Sequence, residues 1–313
     1  MIELTSVSRY FGRFKALDDI SLTVPKGQVL GLLGPNGAGK TTTMRLMAGF
    51  LAPSGGSVRI CGYDTVTQAR EVKKRIGYMP EGMPGFFNMN VYDYLEFIAQ
   101  AKGLTGNALR NELETVFEQA DLTDILYRPA DTLSKGQKRR VALAAAITGN
   151  PDVILLDEPT EGLDPNQKQR VRRLIHRIKE NKAIIVSTHI LEEIEALCSR
   201  AVIIDKGKIV LDDVPREFAA LSDKHKNIAV LIPEFHEKKA RLVFEEMTQV
   251  SIAQETKEKD GAVLFSLTPN AGESTLPDVV DALNRQNIKI SDLYVEKGKL
   301  EDVFFAFTAD KED

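Results

Sequence analysis

The chain has 313 residues, 43% hydrophobic and 27% charged, with a formal net charge of −4. That is the make-up of an ordinary folded protein, long enough for one large domain or two unequal ones. The slight acidic excess argues against nucleic acid as the main partner, because phosphate contacts demand a basic surface.

Cys61 and Cys198 stand far apart, in no metal-ligand spacing. No apolar run is long enough for a spanning helix, and the first residues do not read as a signal peptide. The chain itself is therefore expected in the cytosol, reaching a membrane only through a partner.

Residues 1 to about 25 alternate apolar and polar, as at Ile20, Leu22 and Val24, and read as antiparallel strands. Residues 29–33 form a continuous apolar run, the pattern of a strand buried on both faces. There follows Gly34-Pro35-Asn36-Gly37-Ala38-Gly39-Lys40-Thr41, which fits G-x-x-x-x-G-K-[ST], and a helix reaching Gly49. A strand, a glycine loop and a helix in that order make a phosphate cradle. The glycines let backbone N–H groups turn inward, and the helix adds its positive end. Lys40 reaches the β- and γ-phosphates, Thr41 offers a hydroxyl to Mg²⁺, and Thr42 continues the cradle.

From about 86 to 150 the chain reads mostly as helix, at 94–101, 109–119 and 138–148, the last stopped by Gly149 and Pro151. A second buried strand, 153–156, ends in Asp157 and Glu158, at the carboxyl edge where open α/β sheets bind ligands. Asp157 can hold Mg²⁺, and Glu158 can orient the attacking water and accept its proton. Asp164-Pro165 starts a helix. A third buried strand at 183–187, a short helix at 190–197 and an edge hairpin of 202–204 with 209–211 follow.

The character changes near residue 222. Strand 228–232, helix 236–246, strands 249–256 and 262–268, helix 275–286, strand 288–296 and a short helix 300–307 give a small α+β unit of ferredoxin-like order. Residues 222–313 hold 12 Lys and Arg against 18 Asp and Glu; the rest holds 29 against 27. The expected domains are 1–221 and 222–313, joined at Ser222-Asp223-Lys224.

Four further segments fall in a fixed order: Ile76-Gly77-Tyr78-Met79-Pro80-Glu81, Leu133-Ser134-Lys135-Gly136-Gln137, Gly162-Leu163-Asp164 and Ser187-Thr188-His189. With the phosphate loop they make residues 1 to about 220 resemble the nucleotide-binding domain of ABC ATPases, as its Q-loop, signature motif, D-loop and H-loop. The resemblance implies a P-loop NTPase α/β fold with an antiparallel β-subdomain and a helical subdomain. It implies ATP and Mg²⁺, and a head-to-tail homodimer. Each ATP is then sandwiched between one phosphate loop and the partner's Ser134, Lys135, Gly136 and Gln137. Asp164 would tie the halves together and His189 would bond the γ-phosphate. Phe11 aligns with the adenine-stacking aromatic, with Tyr10 as competitor.

Two residues depart from the family pattern. Glu81 replaces the usual Gln, near the metal and γ-phosphate, and Lys135 replaces the second glycine of the signature. Either the two charges compensate, one from each half of the sandwich, or Lys135 points to solvent.

Met83, Phe86, Phe87, Met89, Val91, Tyr92 and Tyr94 suit either a docking surface for a membrane subunit or the helical subdomain's own core. In the tail, Leu300-Glu301-Asp302-Val303-Phe304 resembles the ABC-2 type exporter ATPases. That likeness implies a separate integral membrane permease and a place on the inner face of the membrane through it. The competing readings are a soluble ABC-type ATPase acting on ribosomes or nucleic acid, and a tail that senses a small ligand.

Overall fold

The computed structural model describes residues 1–82, 89–222, 225–258, 261–270, 276–298 and 300–308. The chain opens with β1 (Ile2–Phe11), β2 (Phe14–Val24) and β3 (Val29–Leu33), then α1 (Lys40–Met47). Next come β4 (Gly55–Ile60), β5 (Tyr63–Asp64), α2 (Ala69–Arg75) and β6 (Ile76–Met79). Three helices follow, α3 (Val91–Ala101), α4 (Gly106–Gln119) and α5 (Lys135–Ile147). Then β7 (Val153–Asp157), α6 (Pro165–Ile178), β8 (Ala183–Thr188), α7 (Leu191–Leu197), β9 (Arg200–Asp205) and β10 (Lys208–Asp213) complete the larger part.

Its main sheet runs β10-β9-β3-β8-β7-β6, parallel throughout except for the β9–β10 edge hairpin. Successive residues of the central strands serve different cores. Val29, Ile154, Leu156, Ile184 and Val186 pack with α3 to α6. Leu30, Leu32, Val153, Leu155 and Ile185 pack on the other face, with α1 and the antiparallel sheet β2-β1-β4-β5. Cover on both faces is what the unbroken apolar runs require.

Local capping moves two helix starts ahead of the apolar period. The Asn90 side chain accepts from the Asp93 N–H at 2.8 Å, so α3 begins at Val91 rather than 94. Ser134 and Gln137 form a reciprocal capping box, so α5 begins at Lys135 rather than 138. The short elements β4, β5, α2 and β6 carried too little periodicity to be read from sequence. Met83, Phe86 and Phe87 lie outside the described residues. Of their neighbours, Val91 and Tyr94 are buried, Tyr92 is half-buried beside Tyr127, and Met89 is exposed. Among the described residues no helix is long and apolar enough to cross a membrane.

The second part comprises α8 (Pro215–Ala220), β11 (Ile228–Ile232), α9 (Glu237–Glu246), β12 (Val250–Lys257), β13 (Val263–Pro269), α10 (Leu276–Arg285), β14 (Asp292–Val295) and α11 (Leu300–Thr308). The antiparallel order β12-β13-β11-β14 with two crossing helices is the βαββαβ connectivity of ferredoxin-like units. Phe244 and Phe265 meet edge to face in its core, centroids 5.2 Å apart. The last strand is shorter than the expected 288–296. Asn287 takes a left-handed φ of 50°, and the N–H groups of Asn287 and Ile288 donate back to Asn284 and Leu283, closing α10 instead. Met1–Pro215 together with Phe307 and Thr308, and Arg216–Ala306, are the two compact bodies, with one division at the start of α8. Asp223 and Lys224 of the expected linker lie outside the described residues.

Gly77 in β6 passes so close to α5 that a Cβ there would lie 1.7 Å from the Ala146 carbonyl oxygen. Gly77→Ala should therefore lower the stability of this body by about 3 kcal/mol, because the obstacle is backbone. A denaturant titration that leaves the midpoint unmoved would contradict this packing.

Candidate active site

The loop from β3 to α1 turns on two glycines with left-handed backbone, Gly37 (φ 82°) and Gly39 (φ 115°). A Cβ on Gly39 would also lie 2.6 Å from Leu17 Cδ2. Lys40 is buried, and its Nζ donates to the carbonyls of Gly34 and Pro35 at 2.6 and 3.0 Å. Burial pulls the Lys40 pKa down, against the opposing charges of Glu158, Asp157 and Glu81. Thr41 and Thr42 are half-buried in the first turn of α1.

Strand β7 delivers Asp157 and Glu158 beside this loop. Asp157 Oδ1 accepts from Ser187 Oγ, whereas its buried Oδ2 has no hydrogen-bond partner among the described residues. Glu158 sits at a left-handed φ of 49°, its N–H donating to the Ser187 carbonyl at 3.0 Å. His189, just past β8, places Nδ1 2.9 Å from Glu158 Oε1. Burial pushes the Glu158 pKa up, and the His189 hydrogen bond opposes it. Asn36, Lys40, Thr41, Glu81, Asp157, Glu158, Glu161 and His189 line one cleft.

The other named residues stand elsewhere. Ser134 Oγ accepts from the Gln137 N–H at 3.2 Å, and Gln137 Oε1 from the Ser134 N–H at 2.9 Å. Ser134 and Lys135 are exposed and Gly136 is buried. None of the four signature residues lines the Lys40 cleft. Asp164 caps α6, accepting from the Gln167 N–H at 2.9 Å. Phe11 and Tyr10 are equally exposed, with the Arg9 guanidinium 4.7 Å from the Phe11 ring centroid and the Lys15 ammonium 5.5 Å from that of Tyr10.

Lys135 is largely exposed yet paired within its own chain, its Nζ 3.4 Å from Glu161 Oε1. Glu161 also pairs with the buried Arg139 at 3.0 Å. Lys135 and Glu81 line a second cleft together with Gly82, Lys138, Arg139 and Ala142, all from one chain. Sequence reasoning passed over Glu161. Its only signal was a third carboxylate three residues after Glu158.

The ABC transporter family pattern matches residues 17–161, from β2 through the phosphate loop and signature motif to Glu161. The chain is 40% identical over 216 residues to the ABC transporter ATP-binding protein NatA of Bacillus subtilis (strain 168), covering 67% of this chain and 88% of NatA. The chain belongs to the ABC transporter family. It resembles the Nod factor export ATP-binding protein I of Burkholderia pseudomallei (strain 1710b), at 37% identity over 69% of this chain and 71% of that protein. A solved structure described as the ATP-binding subunit of an ABC transporter superposes with a TM-score of 0.67 at 26% identity, covering 70% of this chain and 92% of that one. Within the ABC transporter family this chain is an ATP-binding subunit and an ATPase.

Because His189 opposes the upward push on Glu158, His189→Ala should shift the Glu158 carboxyl titration further up. Carbon-detected NMR of the labelled carboxyl would read the shift. An unchanged or lower pKa would contradict the contact.

Proposed function

We propose that this chain is the ATP-hydrolysing subunit of an ABC-2 type exporter, working with a separate integral membrane permease, and that two copies close head to tail around ATP. One observation carries the pairing. Lys40, Asp157, Glu158 and His189 converge on one cleft, while the capped start of α5 presents Ser134 and Lys135 outside it, exposed. A helix start of that kind suits an anion, and its own cleft does not use it. In the pair, the loop N–H groups and Lys40 hold the phosphates of one chain's ATP, and the other chain's α5 covers the γ-phosphate.

Glu158 then takes the proton of the attacking water. Its raised pKa makes it a stronger base than an exposed glutamate. His189, in contact with Glu158, bonds the γ-phosphate and registers its loss. One hydroxyl and one carboxylate oxygen beside the phosphates suit Mg²⁺, which fills the rest of its shell with waters and phosphate oxygens. Thr41 Oγ1 and the unpartnered Asp157 Oδ2 would hold it, with Glu81 nearby. Bound there, Mg²⁺ would neutralise charge on the phosphate oxygens. The export reading is supported by the tail segment Leu300 to Phe304 and by the name of the Nod factor export relative.

Glu158→Gln should lower kcat by about 10²- to 10⁴-fold while leaving ATP binding intact. Because turnover stalls, light scattering of this variant should show a dimer with ATP. A monomer at saturating ATP would overturn the pairing. Purification of the tagged chain from gently solubilised native membranes should bring down an integral membrane protein at equal stoichiometry. Recovery only from the soluble fraction, with ribosomes or alone, would overturn export.

A further inference from the structure

The signature turn and the D-loop are in contact within one chain, and Glu161 stands at the junction. Its carboxylate reaches Lys135 at 3.4 Å and Arg139 at 3.0 Å, both on the first turns of α5. The same residue lines the Lys40 cleft, and its N–H donates to the Glu158 carbonyl at 3.3 Å. The backbone is shaped to admit this contact. Gly162 has a left-handed φ of 71°, and a Cβ there would lie 2.8 Å from both Cε and Nζ of Lys135. Gly136 is similarly confined, its Cβ position 2.6 Å from Gln167 Oε1 at the start of α6. The two ion pairs differ in setting. Arg139 is buried and needs an acceptor, whereas Lys135 is mostly exposed and can exchange one anion for another.

We propose that Glu161 is a positioning residue: through Lys135 and Arg139 it holds the signature turn against the D-loop of its own chain, and Lys135 passes from Glu161 to the γ-phosphate when two chains close. The idea rests on the head-to-tail pairing argued above. A γ-phosphate carries more charge than a carboxylate, so it competes for Lys135 once it faces α5. Arg139 keeps Glu161 in place after the exchange. Glu161 lies in the cleft that holds Glu158, so loss of its Lys135 partner alters the charge beside the base of its own site. The handover thus links nucleotide on one chain to hydrolysis on the other through a named charge pair.

The test measures the ATP concentration that gives half-maximal dimer, by light scattering, with every protein in the Glu158→Gln background. Glu161→Gln keeps an oxygen acceptor for Arg139 but removes the charge that competes for Lys135. It should lower the half-maximal ATP concentration by about two- to five-fold, the range of a largely exposed ion pair. In a Lys135→Gly background the same Glu161→Gln change should have a smaller effect, only that of its charge in its own cleft, and a merely structural role for Glu161 does not predict that difference. Thermal melts check that each variant is folded, and Glu161→Asp should restore the parent behaviour if Glu161→Gln perturbs packing. An equal shift in both backgrounds, or no shift in either, overturns the handover while leaving the pairing intact. Absence of an ATP-dependent dimer in the parent overturns the pairing and this proposal with it.

Discussion

Strands β3, β7 and β8 are apolar on both faces, so they are stable only between two covering layers. That single constraint sets the active site. Buried between α3 to α6 on one face and the antiparallel sheet with α1 on the other, the three strands must lie side by side in parallel register. Their carboxyl ends then emerge together. Gly34 begins the phosphate loop after β3, Asp157 and Glu158 come from the end of β7, and Ser187 to His189 from β8 between the two. Residues some 150 positions apart in sequence meet because the sheet gives them one common edge.

The charges at that edge are arranged to limit the cost of burying them. Lys40 is taken up by two carbonyls of its own loop, Asp157 by Ser187, and Glu158 by His189. Asp157 Oδ2 is left without a hydrogen-bond partner among the described residues. A buried carboxylate oxygen without a donor is costly, and a cation is the simplest partner for it. The same burial that raises the Glu158 pKa lowers that of Lys40, so both groups are displaced toward their neutral forms by one cause.

Legibility followed length and context. The three buried strands and the phosphate loop could be read directly, because long apolar runs and glycine spacing are strong local signals. The starts of α3 and α5 could not be placed from apolar period alone, since the side chains of Asn90 and of Ser134 with Gln137 set them. The short elements from 55 to 79 owe their form to strand pairing and to packing against β7 and α5, which no single segment reveals. At the site, Lys40, Thr41, Glu81, Asp157, Glu158 and His189 line one cleft with Asn36 and Glu161. Glu161 escaped notice because its partners, Lys135 and Arg139, come from a helix more than 20 positions earlier. Lys135 is exposed and pairs with Glu161 of its own chain, a partner that neither solvent exposure nor compensation across a pair supplies.

The proposed head-to-tail pair would build each active site from two chains. Mixing two variants, each crippled at a different half of the sandwich, tests this most directly. Lys40→Ala removes the phosphate-loop lysine, and Ser134→Arg blocks the signature turn. A head-to-tail pair of one of each retains a single intact site, formed by the phosphate loop of the second variant and the signature turn of the first. Each variant alone should fail to hydrolyse ATP, and the mixture should recover activity. A mixture as inactive as its components would mean that no site is shared between chains, and the pairing would have to be abandoned.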